Sequence, residues 1–465
     1  MDRVLNPGVP ARKLLARNTG RFATVPPVRT LPAPAISLTN RATSLNGVQK
    51  IGLYSYCLYL LSGYANDLTL HAMGGKAYLS WIAGILVIVA FVGSGSALRG
   101  LESKIGKCWF GFMIFLLLSA PFSIWRSASL DLLEGYIPRI LMLFFFTCAF
   151  ALNLRSCRIL IMTNVACTSA ILLCAALFGA GDESGRYHIP DSIYFGGAND
   201  LALGLVCSLG FSMFMLLQKS KLSQTLGAVE FLVTIYFLLK TGSRGGFLAL
   251  AAFIIVWSIF SISRWKLGML GVLALAFVGI LPGSTLSRLV EIATPGSLNT
   301  ASAVNDDAKA SQYERTELLK KAIGFAIAHP VLGLGPGTFI DELYNQDVID
   351  KTHTAALGTH NAYAQVASEC GFPALFLYLG ALFGSIACNF RIMKLTRKAP
   401  GAQDVFKMSL CLFACLVAFA VASGFHHVAY TPTMPILTGM TAALALASRN
   451  GDVKWIESEI AAGNA

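Results

Sequence analysis

Long apolar runs recur along this chain and leave it few folds to choose from. Stretches such as ILMLFFFTCAFAL (140–152) and LALGLVCSLGFSMFMLL (201–217) hold no charged side chain. Only 13% of all residues are charged, against roughly 25% in a soluble domain. A transmembrane barrel would show short alternating strands instead. The runs predict an all-α, polytopic membrane protein with about twelve helices, each near the roughly 20 residues that cross a bilayer. The expected spans are about 51–69, 78–96, 106–124, 136–153, 159–179, 198–217, 225–240, 246–262, 267–283, 362–389, 405–423 and 432–448. Residues 51–448 thus form one membrane domain. They are flanked by a basic, proline-containing tail over 1–50 and a C-terminal tail over 449–465. The first tail lacks the apolar stretch of a signal peptide and can lie on anionic lipid or remain solvated.

Charge sets an orientation. With the N-terminus in the cytoplasm, 24 of the 36 Lys and Arg fall on inner segments. Six more lie in the long 284–361 segment, and only Lys76, Arg126, Arg139, Arg186, Lys240 and Arg244 lie on the other outer segments. The positive-inside bias therefore predicts both termini in the cytoplasm and the 284–361 loop outside it. The net charge of +12 follows this topology, so no nucleic-acid partner is expected. Eleven cysteines sit almost wholly in apolar runs with no CxxC pair, and read as small buried hydrophobes.

Three outer arginines run against that bias. Arg186 lies in DESGRYHIPDSIYFGGAND, Arg244 in KTGSRGGFLA and Arg315 in SQYERTELLKKAIGFAIAHP. Ser311 and Glu314 have the spacing of a capping box, and Pro330 ends the helix that follows. Arg315 shares the side carrying Leu319 and Ala322, in a set of apolar residues at 318, 319, 322, 323 and 326. Either that side rests on the bundle and turns the guanidinium inward, or Arg315 pairs with a surface carboxylate. TGSRGG is either a glycine turn with a snorkelling arginine or a place where small residues let an anionic headgroup reach Arg244. HPVLGLGPGTF (329–339) is not a nucleotide loop, since no GK[ST] follows and Pro336 lacks an N–H. It reads as a compact glycine turn joining the loop helix to the bundle.

A further stretch, GTHNAYAQVASECG (358–371), carries a polar stripe into an apolar segment. Asn361, Gln365 and Glu369 follow at i, i+4, i+8 beneath His360. Polar groups in a membrane helix face the bundle interior or a wet cavity. The stripe predicts a polar crevice headed by His360, although a lone histidine there can equally be a cap. No paired acidic motif marks a metal site, and none is expected.

Taken in order, SAPFSIWRSASLDLLEG, Arg186 with GAND, TGSRGG, Arg315 ahead of AHPVLGLGPGTF, and THNAYAQVASECG resemble the O-antigen ligase and polysaccharide polymerase superfamily. The resemblance implies a GT-C-like glycosyltransferase architecture in the bacterial inner membrane, without cofactor. It implies an undecaprenyl-pyrophosphate-linked glycan as donor and lipid A-core or another glycan as acceptor, met in the membrane's lipids. Transfer would be metal-independent, inverting and periplasmic. It also implies that Arg186, Arg244 and Arg315 hold the pyrophosphate, with Asn361 beside them. His360 would act on the acceptor, with Gln365 and Glu369 in support. The GAND form departs from the commoner proline-asparagine pair, which puts the geometry at Asn199 in question. Repeat-unit polymerisation for O-antigen or exopolysaccharide is the alternative within the superfamily. A lipid-linked glycan flippase is the alternative from another class, and it would place its charges near mid-membrane.

Overall fold

The computed structural model describes residues 44–68, 78–182, 185–260, 268, 302–350, 358–399 and 401–448, with backbone alone for 302–314 and 347–350. Most of the basic tail, the ninth expected span (267–283) and the C-terminal tail lie outside the described residues. The protein is helical. In chain order the α-helices are α1 (Gly47–Tyr64), α2 (Tyr78–Gly93), α3 (Lys104–Ser119), α4 (Arg126–Tyr136), α5 (Met142–Phe150), α6 (Leu154–Phe178) and α7 (Ala198–Leu216). They continue with α8 (Lys221–Lys240), α9 (Arg244–Phe260), α10 (Ser302–Ala328), α11 (Phe339–Asp350), α12 (Ala362–Thr396), α13 (Gln403–Ala422) and α14 (Thr433–Ala447). Among the described residues seven spans are long and apolar enough to cross a membrane, and three shorter helices are also apolar. The chain is thus a polytopic membrane protein; the twelve-span total stays an expectation.

Local chemistry moves some expected boundaries. The tail ends before Gly47, because Asn46 and Gln49 form a capping box: Gln49 N donates to Asn46 Oδ1 (2.8 Å) and Asn46 N to Gln49 Oε1 (3.0 Å). Helix α10 begins at Ser302 and passes through Ser311, so no helix starts there. The span expected over 362–389 runs on to Thr396 and is broken at Gly371 (φ 80°, ψ 172°), two residues before Pro373.

Packing is dense between α7, α13 and α14, whose side chains are buried nearly all round. Such helices have no lipid face. Helix α2 is the opposite, exposing Trp81, Ile82, Ile85, Val89 and Val92. Buried polar bonds tie helices together in the apolar interior. Asn389 Nδ2 donates to Thr441 Oγ1 (2.8 Å), and Trp109 Nε1 to Thr438 Oγ1 (2.8 Å). The cysteines form no disulfide and most are buried, as small hydrophobes would be.

The alternation of helices separates two ends. At one, Arg158 at the start of α6 meets Asp404 at the start of α13 (3.4 Å) and Gln218 just past α7 (2.7 Å). At the other lie the turns 179–197, 241–243, 358–361 and 423–432.

Candidate functional site

Residues far apart in sequence meet at that second end. A short hairpin, β1 (Ala180–Gly181) with β2 (Tyr187–His188), presents Arg186. Its backbone N–H donates to Asp182 Oδ1 (2.8 Å), which fixes the turn. The guanidinium Nε donates to the Thr241 carbonyl (3.4 Å), and Nη2 donates to Asn199 Oδ1. That same amide oxygen accepts from Ser243 Oγ (2.8 Å). Arg186, the GAND segment and the TGSRGG turn are therefore one assembly. The departure at GAND leaves Asn199 as its hub.

Arg244 opens α9 and is half-buried. The glycines after it serve packing more than headgroup approach. A Cβ on Gly245 would stand 2.8 Å from Phe425 Cβ and 3.1 Å from His426 Nε2, and one on Gly246 would stand 2.9 Å from Ala202 Cβ. The pair admits helix α7 on one side and the 425–427 turn on the other.

Arg315 rides on α10. Leu318, Ala322, Phe325 and Ala326 are buried on that helix, and three of them form a small separate core with Leu334, Phe339, Leu343 and Ala364. Ile323 is instead exposed, contrary to the expected apolar side. The core fixes α10 against the bundle and carries Arg315, half-buried, towards His360.

His360 stands in the left-handed region (φ 49°), uncommon for a residue other than glycine. Its ring meets His427 edge to face, with centroids 5.4 Å apart. Burial first, then the charge of Arg315, then His427 and Arg186, pull its pKa down to about 4. Nδ1 is buried and without a hydrogen-bond partner among the described residues. His426, deeper in the same turn, is drawn to about 3 by burial, then by His427, Arg315, His360 and Arg186. Its Nε2 is likewise unpartnered. Two arginines and three histidines thus share one electrostatic neighbourhood, and the imidazoles of His360 and His426 stay neutral at neutral pH.

The polar stripe has a different occupation from the expected crevice lining. Asn361 caps α12: its Oδ1 accepts from Tyr363 N and Ala364 N (both 3.0 Å), and Nδ2 donates to the Gly424 carbonyl (3.2 Å). Gln365 Oε1 accepts from Ala429 N (3.3 Å). Glu369 is buried and accepts from Gly337 N (3.0 Å), Phe339 N (3.4 Å) and Tyr430 OH (2.7 Å). Each side chain satisfies irregular backbone or its neighbour, which an apolar surrounding demands. The broken helix does the same with its own carbonyls. Leu334 N donates to Ser368 O (2.9 Å), Gly335 N to Glu369 O (2.9 Å), and Phe372 N to Pro330 O (2.8 Å). Ser129 Oγ donates to Pro336 O (2.9 Å) from the other side. The 329–339 turn does join the loop helix to the bundle, along a seam of backbone bonds at the Gly371 break.

This arrangement can hold a multiply charged anion beside a neutral base. Among the described residues no three His, Cys, Asp or Glu side chains gather as metal ligands. Residues 230–379, roughly a third of the chain, match the family described as O-antigen ligase. The match supports the O-antigen ligase and polymerase superfamily for this chain. The matched stretch holds Arg244, Arg315, His360 and the whole stripe; Arg186, His426 and His427 lie outside it. No curated protein matches the chain. With the seven apolar spans, the match indicates an integral membrane protein, and the family suggests a glycosyl-transferring enzyme.

The histidine pair was missed in the sequence. A signal was present: GFHHVAYTP joins the last two spans on the same side as His360. Asp200, within electrostatic reach of Arg186 and His427, and Tyr430, on Glu369, were also missed.

Proposed function

We propose that this protein transfers a glycan from undecaprenyl pyrophosphate to a hydroxyl acceptor, on the periplasmic side of the inner membrane, as an O-antigen ligase does. The carrying observation is His360: a neutral imidazole with an unpartnered Nδ1, within electrostatic reach of Arg315 and Arg186. In the reaction the bond from sugar C1 to the pyrophosphate oxygen breaks, and its electron pair leaves on the pyrophosphate. The acceptor oxygen bonds to C1 from the opposite face, inverting it, and its proton passes to His360. Arg186, Arg244 and Arg315 stabilise the charge that builds on the leaving group; such preorganised donors supply much of a transfer enzyme's acceleration. Pyrophosphate leaves readily, so this scheme needs neither an acid nor a metal. Asn361 holds the backbone beside His360, Gln365 the 423–432 turn and Glu369 the 329–339 turn, so the stripe acts on substrate only through the frame it fixes.

The cluster sits at helix ends and turns. A flippase would carry its charges at mid-span, so the placement supports the transferase reading. Lipid A-core as acceptor makes the protein a ligase, and a second lipid-linked repeat makes it a polymerase. A deletion strain separates the two. Ligase loss should leave long lipid-linked chains without attachment, whereas accumulation of single lipid-linked repeats would assign polymerisation and overturn the ligase reading.

A further inference from the structure

Helix α10 changes character along its length. Glu317, Lys320 and Lys321 are followed by AIGFAIAHPVLGL (322–334), which holds no Asp, Glu, Lys or Arg. The inner face of this stretch is used in the small core described above. The outer face is not: Ile323 and Ile327 are exposed one turn apart, and Val331 follows them, with Ile327 66% and Val331 59% exposed. Three aliphatic side chains in a row, on a segment between spans, ask what covers them.

Helix α12 answers through continuity. Below the Gly371 break its exposed side is a stripe of Phe376, Phe383 and Phe390 at spacing i, i+7, i+14. Phe376 is 70% exposed on a helix long and apolar enough to span the membrane, so this stripe is a lipid face. At its upper end Phe372 N donates to Pro330 O (2.8 Å), and Gly371 lies against the Val331 carbonyl. The phenylalanine stripe therefore runs on, across the seam, into Val331, Ile327 and Ile323. A second edge agrees. Phe122, Ile124 and Trp125 are exposed just past α3, and Ile124 N donates to Leu334 O (2.9 Å) on the same turn.

We infer that the C-terminal third of α10, with the turn after it, is embedded in the bilayer interface, with lipid acyl chains as its partner. Lys320 and Lys321 mark where the helix leaves the apolar layer, at headgroup depth, where long basic side chains snorkel. Trp125, exposed beside the Leu334 turn, is an aromatic of the kind that lines membrane interfaces. Arg315 lies less than two turns above, in the layer where lipid phosphates sit. The C-terminal third of α10 is thus not solvent-borne: it is a membrane-seated element that sets the depth of Arg315. This inference depends on the membrane fold and not on the transfer chemistry.

Lipid-depth quenching tests it. Cysteine is placed singly at Ile323, Ile327, Val331 and, as the aqueous reference, Thr316, all of them exposed positions. Each full-length variant is labelled with the fluorophore NBD in phosphatidylcholine–phosphatidylglycerol vesicles. The unsubstituted protein, similarly treated, sets the background from its own cysteines. Labels at 323, 327 and 331 should be quenched several-fold more by doxyl-chain lipids than the label at 316, and less by aqueous iodide. Iodide quenching at 327 and 331 equal to that at 316 would place the face in water and overturn the inference. Protection from both quenchers would mean that protein covers it, such as a second copy of this chain, and would overturn it equally. Loss of glycan transfer in any variant leaves this readout intact.

Discussion

Substituting Gly371 by alanine should open the seam that holds α10 to the bundle. Its backbone (φ 80°, ψ 172°) lies in a region essentially reserved for glycine, and forcing another residue there costs about 1–3 kcal/mol. The new Cβ would stand 2.3 Å from Val331 O and 2.9 Å from Pro330 O. Both are backbone atoms that cannot rotate away, so overpacking adds about 1–3 kcal/mol. A total of at least about 2 kcal/mol shifts the docked-to-undocked ratio some thirty-fold or more. The bonds Phe372 N to Pro330 O, Leu334 N to Ser368 O and Gly335 N to Glu369 O should fail together. Limited proteolysis of the purified protein reads this directly, as faster cleavage around 329–339, with thermal unfolding as a companion. Gly324→Ala is the control. That glycine is exposed on α10, and a Cβ there meets nothing within 4 Å. It should stabilise by about 0.5–1 kcal/mol, as helix glycines do when replaced. Unchanged protease resistance and melting in Gly371→Ala would refute the seam.

Other consequences follow from the same geometry. Because burial and two arginines hold His360 near 4, transfer should stay flat through neutral pH and fall only as pH drops through about 4; a pH–rate profile losing activity around 6.5 would contradict that. Stability should follow the linked sign. The unfolded chain takes up the histidine protons near 6.5 while the folded protein resists until about 4 at His360 and about 3 at His426, so stability is complete above 6.5 and declines on acidification below it. Asn361→Ala removes the acceptor for two backbone N–H groups and should lower stability by about 1–2 kcal/mol, with Asn361→Asp retaining most of it; thermal unfolding of the pair checks this.

The sequence exposed the spans because lipid demands about twenty apolar residues in a row, a demand that each segment meets alone. It exposed the arginines because charge outside the positive-inside pattern is conspicuous. The purpose of the stripe was not readable, since each partner lies far along the chain. Gln365 answers to Ala429, and Glu369 to Gly337, Phe339 and Tyr430. Spacing says that these residues share a face and is silent on what meets it. The break at Gly371 had a local sign in CGFP, but a tight turn and a packed helical glycine look alike until Val331 is seen against it. His426 and His427 were passed over for a similar reason: in a short turn between apolar helices they carry no periodicity, and only the fold brings them to His360.

The most direct test separates the two roles assigned at the site. His360→Ala, Arg244→Ala, Arg315→Ala and their lysine versions are compared at matched expression. Transfer to acceptor is measured beside binding of a lipid-pyrophosphate analogue. Losing a positioned base typically costs about a hundred- to ten-thousand-fold in rate. His360→Ala should therefore nearly stop transfer while leaving analogue binding close to wild type. The arginine variants should lose binding as well, and lysine should restore little, because an ammonium cannot grip a phosphate in a bidentate manner. Transfer at a near wild-type rate by His360→Ala would make the histidine a turn residue and contradict the account.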